Sequence, residues 1–150
     1  MTKKLTILVG PPGAGKSTWR QKFKGKIIST DDIRREIFGV QFYPKLEPAV
    51  WRIAFQRLRN SLKEDKEVCF DATNTTRARR RPLIKMGKEA NASIEAVVFL
   101  IDLETLLERN AKRPPGKKVP KEVVKKKYEE LEMPAYEEGI DLIKIIRPTT

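Results

Sequence analysis

Short runs of consecutive apolar residues recur along this chain, separated by longer stretches in which apolar positions return every three or four residues. The runs are Leu5–Gly10 (LTILVG), Lys26–Ser29 (KIIS), Glu67–Phe70 (EVCF), Ile94–Ile101 (IEAVVFLI) and Asp141–Ile146 (DLIKII). They are short and mostly β-branched, the pattern of strands buried on both faces. Between them the spacing is helical. Glu47 to Lys63 sets Trp51, Ala54, Phe55, Leu58 and Leu62 on one face. Helices are also predicted from Gly15 to about Phe23, and from Asp31 to Phe38 with a stop at Gly39. Three more follow. One covers Thr76–Ala90 and is broken or begun at Pro82, one covers Leu103–Arg113 before Pro114-Pro115-Gly116, and one covers Pro120–Glu132 with proline at its start. Strands alternating with helices predict an α/β fold in three layers, a parallel sheet of four or five strands flanked by helices. No repeat or linker divides the 150 residues, so residues 1–150 are expected to form one domain, with Arg147–Thr150 as a loose tail.

Composition adds exclusions. No stretch has the length or apolar character of a signal peptide or a membrane span, which predicts a soluble, cytoplasmic protein. There is no histidine and one cysteine, Cys69, in an apolar run. Serine–histidine and cysteine–histidine mechanisms are therefore excluded, as are an internal disulfide and a cysteine-rich zinc site. Any general base must be Asp, Glu or Lys. The net charge of +12 is local. Residues 77–88 and residues 109–121 each hold six basic residues and no acid, and the rest of the chain is balanced. Two cationic stretches suit a polyanionic partner, although a lysine-rich, heat-stable surface would look the same.

The candidate chemistry starts at Gly10-Pro11-Pro12-Gly13-Ala14-Gly15-Lys16-Ser17, which satisfies G-x-x-x-x-G-K-[ST] between a strand and a helix. In such a loop glycines let backbone N–H groups wrap a phosphate, and the following helix turns its positive end toward it. Gly10, Pro12, Gly13, Ala14, Gly15, Lys16, Ser17 and Thr18 are thus the expected ATP contacts. Lys16 reaches the β- and γ-phosphates and Ser17 ligates Mg²⁺. Asp31 and Asp71 each follow a strand run and should face this loop, since ligands of open parallel sheets sit at the strands' carboxyl ends. Asp31 is preferred over Asp32 as the general base for a hydroxyl acceptor. Asp71 is left either as a carboxylate behind the Mg²⁺ or as an acceptor contact, and Arg34, three residues after Asp31, as an anion contact or a surface ion pair. Arg109 and Arg113 lie four apart at the end of a helix before Pro114-Pro115-Gly116, which suits a lid over residues 106–120 that brings arginine to the transferring phosphoryl group.

Four segments carry a resemblance to a family: GPPGAGKSTW at Gly10–Trp19, STDDIR at Ser29–Arg34, FDATN at Phe70–Asn74 and ERNAKR…VP at Glu108–Pro120. Over nearly its whole length the chain resembles the kinase domain of polynucleotide 5′-hydroxyl kinases, adenylate-kinase-like P-loop phosphotransferases. The resemblance implies transfer of the γ-phosphate of ATP to a 5′-hydroxyl of RNA or DNA. It implies that Lys16 and Ser17 hold phosphate and metal, that Asp31 is the base, that Arg34 contacts the acceptor strand, that Asp71 lies in the acceptor site and that Arg113 is the lid arginine. Asn74, Arg79 and Arg80 are the further acceptor-binding candidates. Thr30 before Asp31 and the Pro-Pro-Gly-Lys-Lys of the lid depart from the family pattern. With no phosphatase or ligase segment, a free-standing kinase is expected. A kinase of a small molecule, nucleotide sugar or tRNA-linked acceptor, and a nucleotide-switched nucleic-acid-binding protein, are the alternatives.

Overall fold

The structure is a computed structural model that describes residues 3–39 and 43–148. Five parallel strands form one sheet in the order β2-β3-β1-β4-β5. They are β1 (Lys3–Val9), β2 (Lys26–Ser29), β3 (Glu67–Asp71), β4 (Ala92–Phe99) and β5 (Leu142–Ile146). β1 is central, pairing with β3 and β4. Register sets Leu8 and Ser29 both opposite Asp71, so β1, β2 and β3 end nearly level.

Side-chain alternation divides the interior into two layers. Leu5, Ile7 and Val9 face Val50, Ala54, Leu58, Leu62, Leu83 and Ile84 of α3 (Glu47–Glu64) and α4 (Arg77–Glu89). Leu8, Cys69, Val97 and Phe99 face Leu106 of α5 (Leu103–Ala111), Val124 of α6 (Lys121–Glu129) and the flank of α1 (Lys16–Arg20). Helices thus cover both faces. Cys69 is fully buried, and burial pushes its thiol far above the usual range, so it is inert packing.

Several elements differ from the sequence expectation. The helix after the phosphate loop ends at Arg20, and Trp19 stacks on Phe23 at 5.3 Å beyond it. The expected Asp31–Phe38 helix is α2 (Thr30–Ile33) followed by a π-helical turn, Arg34–Phe38, closed by Gly39 at φ 69°. Pro82 lies inside α4 without breaking it. Its missing N–H affects only the carbonyl of Ala78, an exposed residue that water can serve. β4 runs from Ala92 to Phe99 rather than Ile94 to Ile101. α5 stops at Ala111, and α6 stops at Glu129 because Glu132 N–H donates instead to the Thr75 carbonyl. Thr149 and Thr150 of the expected tail lie outside the described residues.

Candidate active site

The chain leaves β1 at Val9 and turns through residues 10–15 into α1. Gly13 (φ 84°) and Gly15 (φ 106°) take left-handed conformations that favour glycine. Gly10 lies close against β4, where a Cβ would come within 3.1 Å of Phe99 Cβ. Lys16 Nζ donates to the carbonyls of Gly10 (2.5 Å) and Pro11 (3.3 Å), which curls the loop around its own ammonium. Burial lowers the Lys16 pKa. The carboxylates of Asp71 and Asp31 oppose that effect, while the charges of Arg113 and Lys127 add to it. These five groups therefore share one electrostatic environment at the carboxyl end of the sheet. Ser17 and Thr18 are exposed at the start of α1.

The strand-end carboxylates divide sharply. Asp71 is 8% exposed. Burial raises its pKa, and the charges of Lys16 and Arg20 pull against that rise. Arg20, at the end of α1, bridges two acids, with Nη1 at 3.0 Å from Asp71 Oδ2 and Nη2 at 2.6 Å from Asp32 Oδ2. Asp32 is held from the other side by Arg35 at 2.8 Å. Asp31 makes no hydrogen bond to Arg20 or Arg35. Its side chain is 61% exposed and its partner is Arg34 Nη1 at 2.5 Å. Arg34 in turn grips both oxygens of Glu47, at 2.8 and 2.7 Å, tying α2 to the start of α3. Of the two adjacent aspartates, Asp31 thus has a carboxylate open to an acceptor, whereas Asp32 is committed to two arginines.

α5 lies over the phosphate loop, and Arg109 Nη1 donates to the Gly13 carbonyl at 3.2 Å. Arg113 is half-buried just past the helix end. The following loop is closed on itself. Asn110, 5% exposed, donates to the Val119 carbonyl (2.7 Å) and accepts from the Val119 N–H (3.1 Å), while the N–H groups of Lys117 and Lys118 both reach the Pro114 carbonyl. A second tether crosses from α6, where Glu130 Oε1 accepts from Thr75 Oγ1 (2.7 Å) and pairs with Lys127 (2.9 Å).

Two expected acceptor contacts are placed elsewhere. Arg80 is fully buried. It donates to Glu138 (2.9 and 3.1 Å), the Asn74 carbonyl (2.9 Å) and the Glu132 carbonyl (2.8 Å), so its guanidinium fastens α4 to the segment before β5 rather than facing the cleft. Asn74 is 1% exposed, and its Nδ2 donates to the Leu8 carbonyl at 2.8 Å. It stands at φ 45° and shapes the turn after β3. Arg79 does reach the surface, above the Trp51 ring. Sequence inspection missed Arg20, Glu47, Thr75 and Lys127. For Arg20 a faint signal existed, since it follows Lys16 by one helical turn and must share its face.

Among the described residues no group of three or more His, Cys, Asp and Glu side chains forms a metal cage. The donors present suit Mg²⁺ nonetheless, because that ion is commonly held by one protein hydroxyl or carboxylate together with phosphate oxygens. Ser17 at the loop would be such a hydroxyl, and Asp71 is the buried carboxylate at the same end of the sheet.

A five-stranded parallel sheet with this loop at the end of its central strand defines a P-loop nucleotide-binding domain with the three-layer fold of P-loop kinases. A family model described as an AAA domain matches residues 5–134, and the chain belongs to that family. It is similar to an L-seryl-tRNA(Sec) kinase of Methanococcus maripaludis, 30% identical over an alignment of 155 positions that covers 97% of this chain and 59% of that protein. A candidate bifunctional polynucleotide kinase/RNA ligase of Autographa californica nuclear polyhedrosis virus is 28% identical over 142 residues, covering 85% of this chain and 20% of that one. Among solved structures, a chain of the Pnkp1/Rnl/Hen1 RNA repair complex aligns with a TM-score of 0.75 at 30% identity, over 87% of this chain and 44% of its own length. The chain spans about three fifths or less of the length of each of these relatives.

Proposed function

We propose that this chain transfers the γ-phosphoryl group of ATP to a hydroxyl at the end of a nucleic acid, in first place the 5′-hydroxyl of RNA or DNA. The observation that carries the proposal is the open carboxylate of Asp31, oriented by Arg34, beside the environment of Lys16 at the carboxyl end of the sheet. The hydroxyl oxygen attacks the γ-phosphorus, its proton passes to Asp31, and the bond to the departing ADP oxygen breaks. Lys16 and the loop N–H groups hold the β- and γ-phosphates. Mg²⁺ bound at Ser17 would supply neutralisation of phosphate charge. Arg109 and Arg113 meet the nucleotide from the α5–α6 lid, residues 106–120, and Arg34 orients the acceptor end.

A nucleic-acid partner is supported by surface charge. In the run 77–88, Arg77, Arg80 and Lys88 are paired internally with Glu137, Glu138 and Asp141. In the run 109–121, Lys112, Lys117, Lys118 and Lys121 are exposed and make no ion pair among the described residues. That surface suits phosphates more than a neutral sugar. No helix of the described residues is long and apolar enough to cross a membrane, and a cytoplasmic site of action accords with the proposal. A second acceptor, the seryl hydroxyl of a charged tRNA, is favoured by the 30% identity to the seryl-tRNA kinase over 97% of this chain.

Labelled ATP offered with 5′-hydroxyl oligonucleotides, seryl-tRNA, nucleosides and sugars tests the proposal. Label in the oligonucleotide is expected. Label in seryl-tRNA alone selects the second acceptor. Label in a sugar alone, or in nothing while oligonucleotide affinity responds to ATP, overturns both.

A further inference from the structure

The acceptor side of the cleft continues past Arg34. Glu47, which holds Arg34, begins α3, and Trp51 follows it by one turn on the same helix face. The Trp51 indole is pinned by Phe70 at 5.9 Å and Phe55 at 5.7 Å between ring centroids, and Phe70 is the residue before Asp71. Over the indole lies the guanidinium of Arg79, its Cζ 5.0 Å from the ring centroid. Arg79 belongs to the first turn of α4, which Thr76 caps by accepting the Arg79 N–H at 3.2 Å. The route from Asp31 through Arg34, Glu47 and Trp51 to Arg79 is therefore one continuous rim.

Arg79 also differs from its neighbours. Arg77 and Arg80 are spent on glutamates, whereas Arg79 is exposed and makes no ion pair among the described residues. Exposed as it is, the guanidinium plane beside the indole is accessible from solvent. Such a plane stacks on nucleobases and can meet a phosphate at its edge.

We propose that the Trp51–Arg79 pair is the platform for a nucleobase of the acceptor strand, one of the first two counted from the reacting hydroxyl. It depends on the nucleic-acid acceptor proposed above and assigns the part of that acceptor which a sugar or a seryl group lacks. The platform selects a base by its π-face rather than by its hydrogen-bonding edge, so it tolerates any sequence.

The test is binding of a 3′-labelled, single-stranded 5′-hydroxyl oligonucleotide, compared with the same strand made abasic at its first two positions, with transfer measured alongside. Wild-type protein should bind the abasic strand about tenfold more weakly, the size of one lost stacking contact. Arg79→Ala should bind the intact strand about as poorly and lose the distinction between the strands. Arg79→Lys keeps the charge without the plane and should behave nearly as Arg79→Ala. Arg81→Ala, an exposed neighbour on α4, removes the same charge and should keep the distinction. Equal wild-type affinity for the two strands, or discrimination persisting in Arg79→Ala, overturns the platform. Discrimination in binding without transfer would uphold the platform and remove the polynucleotide-kinase function. Transfer with equal affinities would do the reverse. Failure of both strands to bind would overturn both.

Discussion

Replacing Arg20 by glutamine removes one guanidinium from two carboxylates. Asp71 has a side chain only 11% exposed, so losing its 3.0 Å partner leaves a mostly buried charge short of compensation. Asp32 is 39% exposed and retains Arg35, so its share is small. Breaking a buried ion pair costs about 3–5 kcal/mol, but Asp71 keeps the charge of Lys16, which brings the expected loss to about 2 kcal/mol. For a chain of this size that is a fall in Tm of roughly 4–8 °C. The pH dependence has a definite sign. Burial already raises the Asp71 pKa, and removing Arg20 raises it further. A carboxyl with a raised folded-state pKa makes the folded form bind the extra proton, so its stability is lost as pH climbs from the ordinary carboxyl range through the raised value. Urea unfolding of wild type and Arg20→Gln should therefore diverge most above the raised Asp71 value and converge as pH falls into the ordinary carboxyl range near about 4. Equal deficits at both ends, or a Tm shift below about 1 °C, would refute the assignment of Arg20 as the counter-charge of Asp71.

Asp31→Asn should keep ATP affinity and lose about 10²–10⁴ in turnover, the usual share of a general base. Asp32→Asn should lose far less turnover, and single-turnover rates for the two variants distinguish them. Arg80→Leu should lose about 3–5 kcal/mol in urea unfolding, because Glu138, held below the usual carboxylate range despite its burial by Arg80 and the Ala135 N–H, is left short of its main partner. A near-native Arg80→Leu with weakened oligonucleotide binding would return Arg80 to the acceptor surface. Arg113→Ala should lower turnover at least about tenfold more than it weakens ATP binding, the mark of a contact formed in the transition state. Arg109→Ala, which loses the contact to Gly13, should instead weaken ATP binding, as isothermal titration would read.

Local pattern carried much of this protein. Short continuous apolar runs and period-3.6 spacing place all five strands and the major helices, because a strand covered on both faces is apolar throughout and a helix must hide one apolar face whatever its neighbours are. The phosphate loop is equally local, since its glycines serve backbone angles within the loop itself, at Gly13 and Gly15. That Asp31 and Asp71 lie near the carboxyl end of the sheet was also legible, because each stands where an apolar run gives out: Asp71 is the last residue of β3 and Asp31 lies in the first turn of α2 just after β2. The order β2-β3-β1-β4-β5 was not legible, since buried strands of similar composition can exchange places without changing their patterns. Nor was the fate of individual charges. Asp31 and Asp32 look alike in sequence, and only Arg20 arriving on α1 makes one committed and leaves the other open. The same holds for RARRR at 77–81, where Arg80 meets Glu138 across 58 residues and vanishes into the interior while Arg79 comes to rest on Trp51. Hydrophobic faces repeat and can be read from spacing. A charged side chain takes its role from whichever partner folding brings within about 3 Å, and that is a tertiary fact.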